Sequence, residues 1–325
     1  MQDYRPQHST FDIDGFLFAT KWVCVLAAFF FVGKAGLMYY QQKPITRTIV
    51  AKSLPKSSVI DSAAKIQSPW LDKPQIKLNK KVGLPGATLS SKNQISAESF
   101  LIADLDTGQV LASRAPADTL PIASLSKLMT AFTAIRYGAP SPVQELFYPL
   151  LMESSNAAAN QIVDIYDGPA DSGIFISRMN HQAALLDMTH TTFADPSGIS
   201  SQNVSTAYDL LLLAKGVRDL TPAVLDITKT REKTVLLKNT VAGDATYRDL
   251  QNINLFTHDP RFLGGKTGYT SAAGETLISI FRLPIANLGK SPENQRNIVF
   301  ILLGSDKREK DFGILMKWLE LATKA

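Results

Sequence analysis

The sequence predicts an α+β protein in which a mainly antiparallel sheet is packed with helices and carries an inserted all-helical subdomain. Strand-like segments occur at both ends of the region that follows residue 96, and helical spacing dominates from about residue 138 to 228. Hydrophobic residues make up 45% of the 325-residue chain, which is enough for a sizeable core. Because the strands flank a helical block and do not alternate with helices, an antiparallel sheet with helices on its faces is expected.

The region after residue 96 begins with a predicted hairpin and an amphipathic helix. The stretch SFLIADLDTGQVLASR, which starts at Ser99, has two apolar segments joined by an Asp-Thr-Gly turn. Residues 124–137 then have helical spacing and one broad apolar face. That face is formed by Leu125, Leu128, Met129, Phe132 and Ile135.

Further helices and then further strands follow. Helical spacing covers ELFYPLLMESSNAAANQIVDIY and STAYDLLLLAKGV, and the turn at residues 195–198, Asp-Pro-Ser-Gly, separates them. After Lys229 the predicted strands are KTVLLK, FLGGKTGYT, GETLISIFRL and NIVFILLGS, and residues 311–324 form a last helix. A cleft between the helical block and the sheet is the expected place for a binding site.

The N-terminal 40 residues predict a membrane anchor. Residues 15–40 are the most apolar stretch of the chain, and a helix of that length reaches about 39 Å, enough to cross a bilayer. Residues 1–14 would form a short tail. A cleaved signal peptide is the alternative, although Lys34 lies inside the only stretch of small residues suited to cleavage. The basic flank after the span favours a cytoplasmic C-terminal part, whereas the function argued below requires the opposite orientation.

Residues 41–95 predict a basic, flexible tether. They contain ten Lys or Arg against Asp61 and Asp72, a net charge of +8, while the whole chain carries +5. Their Lys, Pro, Ser and Gln content buries too little apolar surface to offset the entropy of ordering. The basic pI therefore describes a tether, and it is a poor argument for nucleic-acid binding by the catalytic domain that we expect at residues 96–325.

Three short motifs carry the chemistry. Ser124 and Lys127 form S-x-x-K at the start of the first predicted helix, where residues three apart share a face. A serine hydroxyl needs a base within hydrogen-bond reach, and a lysine serves as one only where its pKa is depressed. The same spacing occurs at Ser53 and Ser62, both in the tether, so the pattern alone is weak.

The other two motifs are S-x-N and K-T-G. Ser154 and Asn156 form an S-x-N that precedes a run of small residues on a predicted helix. Lys266, Thr267 and Gly268 form the single K-T-G, on a predicted strand after two glycines. A cation and a hydroxyl at a strand edge can hold a carboxylate, and a glycine there allows close approach of a substrate.

In this order the motifs resemble the signature of penicillin-binding proteins and class A β-lactamases. From about residue 98 to 321 the chain resembles the D-alanyl-D-alanine carboxypeptidases of the low-molecular-mass penicillin-binding type. FADPSGIS resembles the inner turn of that family, and GGKTGYTSAAGETL resembles its substrate strand. The resemblance implies a β-lactamase/transpeptidase-like fold and a serine peptidase that needs no metal or organic cofactor.

The resemblance also implies a role for each motif residue. Ser124 would be the acylated nucleophile, Lys127 its general base, and Ser154 a proton relay toward the leaving group. The backbone N–H groups of Ser124 and Tyr269 would form the oxyanion hole, which stabilises the charge that develops in acyl transfer.

The remaining motif residues would bind the substrate. Asn156 would hydrogen-bond its backbone, and Lys266 and Thr267 would hold its terminal carboxylate beside Gly268. The implied substrate is a peptidoglycan stem peptide, and penicillins would be covalent inhibitors. Such an enzyme, with roles in cell wall biogenesis and cell shape, would be a single-pass membrane protein whose catalytic domain is extracytoplasmic. The sequence leaves the oligomeric state open.

Three alternatives stay open. Only 26 residues separate Lys127 from Ser154, where family members usually carry a longer insertion, so a wider cleft could favour cross-link cleavage by a D,D-endopeptidase. A class A β-lactamase needs a glutamate after S-x-N, and none occurs between Ser154 and Arg231. A non-catalytic module that binds peptidoglycan or β-lactams is the alternative of another class, and the complete motif set argues against it.

Overall fold

The computed structural model describes residues 95–168, 173–238, 245–285 and 295–324. The predicted tail, the predicted anchor and all of the predicted tether except Ile95 lie outside these residues. Within the described ranges, no helix has the length and apolar character that a membrane span requires.

The described part of the chain contains a main sheet and two small ones. Its strands are β1 (Ser99–Asp104), β2 (Gln109–Arg114), β3 (Leu120–Pro121), β4 (Val204–Ser205), β5 (Glu232–Lys238), β6 (Ala245–Gln251), β7 (Phe262–Thr270), β8 (Gly274–Pro284) and β9 (Gln295–Ser305). The main sheet has the order β2-β1-β9-β8-β7, and all its pairs are antiparallel. The strand that carries K-T-G, β7, is therefore an edge strand. β3 pairs with β4, and β5 pairs with β6.

Helices fill the middle of the chain and its end. They are α1 (Ser126–Arg136), α2 (Ser141–Met152), α3 (Asn156–Asp167), α4 (Gly173–Leu185), α5 (Ala207–Leu220), α6 (Ala223–Lys229) and α7 (Arg308–Lys324). Single 3₁₀ turns occur at Ala123–Leu125 and Leu255–His258. The helical block predicted between about residue 138 and 228 thus holds α2 to α6.

Both faces of the sheet are covered, which explains the unbroken apolar run of β9. Val299 and Ile301 join the core that includes α1 to α6, whereas Phe300 and Leu302 join a second core under α7. Successive side chains of a strand point to opposite faces, so a strand covered on both faces is apolar throughout. The predicted antiparallel sheet packed with helices is confirmed.

The start of the domain is fixed to the start of α7. The buried Asp311 carboxylate accepts hydrogen bonds from the Ser96 and Ala97 N–H groups and from the Ser96 and Ser305 hydroxyls, at 2.7 to 2.9 Å. The chain therefore enters β1 at a defined point, directly after the predicted tether.

Two elements differ from the sequence prediction. The helix predicted through ELFYPLLMESSNAAANQIVDIY is broken at Glu153–Ser155, because Ser154 adopts a positive φ of 59° and the Ser155 side chain caps α3 by accepting from the Ala158 N–H. Strand β6 was not predicted: six of its seven side chains are exposed, so it lacks the apolar alternation of a half-buried strand.

Candidate active site

Ser124 lies in a tight connection between β3 and α1. Ala123, directly before it, has a φ of +49°, a conformation that is costly for a residue with a side chain. Hydrogen bonds on both sides hold this connection: Thr276 Oγ1 donates to Ile122 O at 3.1 Å, and Ser126 Oγ donates to Ala123 O at 3.0 Å. The strained backbone keeps Ser124 partly exposed, while the Leu125 side chain that follows it is fully buried.

Two glycines allow other segments to approach the Ser124 backbone. A Cβ at Gly268 would lie 2.8 Å from Ser124 N, and one at Gly198 would lie 2.9 Å from the same atom and 1.9 Å from Ala123 O. Because real Cβ atoms do not approach so closely, neither position accepts a side chain without a shift of the backbone. Strand β7 and the Asp-Pro-Ser-Gly turn therefore both contact the nucleophile segment.

Lys127 is fully buried and reaches Ser124. Its Nζ donates to Ser124 Oγ at 3.0 Å, to Asn156 Oδ1 at 2.7 Å and to the Ser197 carbonyl at 2.5 Å. Burial lowers the pKa of Lys127 to about 8, and the nearby Asp195 carboxylate raises it in part. A base with this pKa is neutral in an appreciable fraction of molecules near neutral pH, which a solvated lysine is not.

Asp195 organises the floor of the site. Its carboxylate accepts from the N–H groups of Ser197, Gly198 and Ser200 at 2.7 Å each, and from Asn203 Nδ2 at 2.5 Å. Burial alone would raise the pKa of Asp195, but these hydrogen bonds outweigh it and lower the pKa.

The sequence predicted a turn at Asp195 and gave it no role in the site. An aspartate two residues before a glycine in a Pro-containing turn was the available signal. The same turn accepts a 2.6 Å hydrogen bond from Thr130 Oγ1 of α1 at the Pro196 carbonyl, which ties it to the helix that carries Lys127.

The S-x-N residues occupy the loop between α2 and α3. Asn156 is the first residue of α3 and is exposed, and its Oδ1 contacts Lys127 as described. Ser154 is half-buried in its left-handed backbone conformation, and within the described residues its hydroxyl makes no hydrogen bond. The structure thus brings Asn156 into contact with the Ser124–Lys127 pair and shows no hydrogen bond from Ser154 to either residue.

The K-T-G residues line the facing edge of the sheet. Lys266 is 2% exposed, and its Nζ donates to Thr267 O at 2.7 Å. Burial, followed by the charges of Lys127 and Arg308, lowers the pKa of Lys266 well below its usual value. Thr267 is also buried, at 7% exposure, whereas Tyr269 is 66% exposed on the same edge strand.

Arg308, at the start of α7, is a site residue that the sequence did not predict. Its guanidinium donates to Gly268 O at 3.0 Å, and its N–H donates to Glu275 Oε2 at 2.8 Å. It adds a permanent positive charge beside Lys266. No local pattern could have indicated this, since 40 residues separate it from Gly268.

Comparison with known proteins identifies the family. The family model of Peptidase S11, described as D-alanyl-D-alanine carboxypeptidase, matches residues 86–139 and 133–282, more than half of the chain. The chain belongs to the S11 peptidases. In the part that the structure describes, no group of three or more His, Cys, Asp or Glu is placed to hold a metal ion.

Other S11 and penicillin-binding proteins resemble the chain over most of its folded region. It is 31% identical over 265 residues to a D-alanyl-D-alanine endopeptidase of Pseudomonas aeruginosa, a match that covers 73% of this chain and 81% of that protein. It is 31% identical over 226 residues to a D-alanyl-D-alanine endopeptidase of Escherichia coli K12, covering 59% and 69%. The cefotaxime-bound crystal structure of penicillin-binding protein D2 from Listeria monocytogenes aligns with a TM-score of 0.58, 25% identity and coverage of 73% and 99%.

Proposed function

We propose that the protein is a serine-type D-Ala-D-Ala carboxypeptidase that acts on peptidoglycan stem peptides through an acyl-enzyme on Ser124 and is also acylated by penicillins. The observation that carries this proposal is the pair Ser124–Lys127, with a buried Nζ 3.0 Å from the hydroxyl and a pKa of about 8. Membership of the S11 family gives the substrate class.

Acylation begins when neutral Lys127 takes the proton of Ser124 Oγ. The oxygen attacks the carbonyl carbon between the two D-Ala residues, and the negative charge on the carbonyl oxygen is stabilised by the N–H groups of Ser124 and Tyr269. The C–N bond then breaks and the leaving D-Ala amine takes up a proton, delivered from Lys127 through Ser154. Water attacks the resulting ester, the acid product leaves, and Ser124 regains its proton.

Substrate orientation depends on the opposite edge of the cleft. Lys266 and Thr267 hold the terminal carboxylate, and Arg308 adds positive potential in the same region. Opposite charges attract strongly where water is excluded, so an anionic end is drawn to this edge. Asn156, which already accepts from Lys127, is placed to bond the substrate backbone, and Gly268 leaves room for it.

The test is acylation and turnover by the full chain. A fluorescent penicillin is expected to add one adduct at Ser124, seen by intact-mass spectrometry, and a pentapeptide is expected to release D-Ala. The Ser124→Ala variant should lose both, whereas Ser53→Ala, which removes the serine of a tether S-x-x-K, should keep both. An unlabelled parent protein would refute the proposal, and an adduct without D-Ala release would favour a non-catalytic β-lactam-binding module.

A second candidate function is D,D-endopeptidase activity. Two relatives at 31% identity carry that name, and the 26-residue interval between Lys127 and Ser154 leaves one wall of the cleft short. Comparison of kcat/KM for a cross-linked dimeric muropeptide and for a pentapeptide distinguishes the two. A higher value for the dimer assigns the endopeptidase as the main activity.

We also propose that residues 15–40 anchor the protein in the cell membrane, with residues 96–325 extracytoplasmic. The 26 apolar residues and the wall substrate of the proposed reaction support this arrangement. Protease added to intact spheroplasts should degrade the catalytic domain, and deletion of residues 15–40 should release the protein from the membrane fraction. Protection of the domain until lysis would contradict the orientation.

A further inference from the structure

The β5–β6 hairpin has one covered face. Val235 and Leu250 are buried in the core that contains the helices, and the Lys233 ammonium lies 5.5 Å from the ring centroid of Tyr148 in α2. Arg248, on the same face, donates to Glu153 Oε2 at 2.7 Å. These contacts hold the hairpin against the C-terminal end of α2, one residue before Ser154.

The opposite face of the hairpin is open. Because side chains alternate along a strand, the residues between the covered ones point away from α2. We call this set the outer face; it consists of Glu232, Thr234, Leu236, Tyr247, Asp249 and Gln251. Tyr247 is 75% exposed and lies opposite the half-buried Leu236, and Thr234 Oγ1 donates to Asp249 Oδ1 at 2.6 Å across the strands. An exposed tyrosine beside fixed polar groups is an amphipathic contact surface.

The outer face continues to the wall of the cleft. After β6 the Ile253 N–H donates to Met152 O at 3.0 Å, two residues before Ser154, and Ile253 itself is 55% exposed. Six residues of extended chain separate Ile253 from Tyr247, a distance of about 20 Å. An extended stem peptide of five residues spans about 17 Å. A peptide with its D-Ala end near Ser124 therefore has the reach to bring its attached sugar close to Tyr247.

We propose that the outer face binds the glycan strand to which the stem peptide is attached, a chain of N-acetylated amino sugars. The C–H face of a pyranose ring packs on the Tyr247 ring, and Asp249, Gln251 and Thr234 exchange hydrogen bonds with its hydroxyl and acetamido groups. The set carries two carboxylates and no cation, which suits a neutral sugar chain better than an anionic polymer. This inference rests on the proposed function, because that function supplies the glycan-linked substrate.

The test compares two substrates of the full chain: a free pentapeptide, and the same pentapeptide attached to a disaccharide of N-acetylated amino sugars. The parent protein should have a higher kcat/KM for the linked substrate. In Tyr247→Ala the ratio of linked to free should fall about fivefold, the size of effect expected when one exposed aromatic contact is removed. Tyr247→Phe should keep the ratio, since the ring is retained. Leu321→Ala, at another exposed apolar residue on α7, is the matched control and should also keep it.

A parent ratio of one, or a ratio in Tyr247→Ala equal to that of the parent, would overturn the glycan assignment. A second measurement does not depend on catalysis: a tetramer of N-acetylglucosamine should bind the parent and Tyr247→Phe in saturation-transfer NMR, and bind Tyr247→Ala about fivefold more weakly. Failure to release D-Ala from either substrate would refute the proposed function alone, and tetramer binding would then decide on the outer face.

Discussion

Lys127 shows how one residue type acquires a chemical role from its surroundings. The side chain is fully buried, and its Nζ is held by Ser124, Asn156 and the Ser197 carbonyl. Removal from water disfavours the ammonium form, so the pKa falls to about 8. The lysines of the two tether S-x-x-K motifs share the spacing; nothing in the sequence around them provides an apolar core in which to bury an ammonium.

The pKa of Lys127 predicts the pH dependence of acylation. Because the neutral amine is the base, the rate should rise about tenfold per pH unit below pH 8 and level off above it. The sign follows from the lowered pKa: the active form gains population as pH rises. Rates of penicillin acylation between pH 5.5 and 9.5, followed by mass spectrometry, test this. A rate that does not change over this interval, or keeps rising to pH 10, would contradict the assignment.

Gly198 predicts a stability and activity effect with a built-in control. Gly198→Ala places a Cβ 1.9 Å from Ala123 O and should displace the nucleophile segment, with a large loss of penicillin acylation. Gly168 has a similar φ, +81° against +86°, and open space around it. Each alanine should cost about 1 to 2 kcal/mol of backbone strain, measured by denaturant unfolding. Only Gly198→Ala should also lose acylation; equal acylation by both variants would show that the close approach has no importance for the site.

At the scale of elements, the site is an assembly of three connections and one strand edge. The 3₁₀ turn with Ser124, the Asp-Pro-Ser-Gly turn and the loop between α2 and α3 meet the edge strand β7. Loops carry chemistry well when rigid elements fix them. Here β8 supplies Thr276 and α1 supplies Thr130, which bond the first two connections.

The Asp195 turn leads to a prediction that separates positioning from folding. Asp195→Asn removes the negative charge that raises the pKa of Lys127, so the inflection of the acylation profile should move below pH 8. It also replaces an acceptor oxygen by a donor, which should cost about 1 to 3 kcal/mol of stability. Loss of stability with an unchanged inflection would show that Asp195 acts only on the fold.

At the scale of the whole molecule, the cleft combines residues from both ends of the folded region. Lys127 follows the first hairpin, Lys266 lies on β7 and Arg308 begins the last helix, yet the charges of Lys127 and Arg308 both act on Lys266. Three cations converge on one edge of the cleft. Each disfavours the charged form of its neighbours, which helps to keep a neutral base beside a site for an anion.

The same assembly predicts a long-lived penicillin adduct. The Asp195 carboxylate is near the nucleophile, but its oxygens already accept several hydrogen bonds, so it is poorly suited to activate water. The sequence contains no glutamate between Ser154 and Arg231 to take that role. The adduct should therefore persist well beyond the time of one peptide turnover, as measured by mass spectrometry after removal of free penicillin. Rapid loss of the adduct with release of hydrolysed penicillin would indicate a β-lactamase.

The sequence alone determined the class of fold and the family, because both depend on patterns that are local or ordered along the chain. The hairpin, α1, the helical block, the apolar run of β9 and the three motifs in order were all readable. The roles of Ser124, Lys127, Ser154, Asn156, Lys266, Thr267, Gly268 and Tyr269 stay predictions, and the structure adds the distances on which they rest.

Only the tertiary structure decided which residues meet. Strand β6 has no apolar alternation and forms through its pairing with β5, while S-x-N lies in a loop because of the backbone at Ser154. Asp195 and Arg308 entered the site through contacts with residues far away in the chain. Burial of Lys127, and with it the pKa that makes the lysine a base, exists only once the sheet and the helices have closed around it. Desolvation depends on what surrounds a group in space, and no spacing along the sequence encodes it.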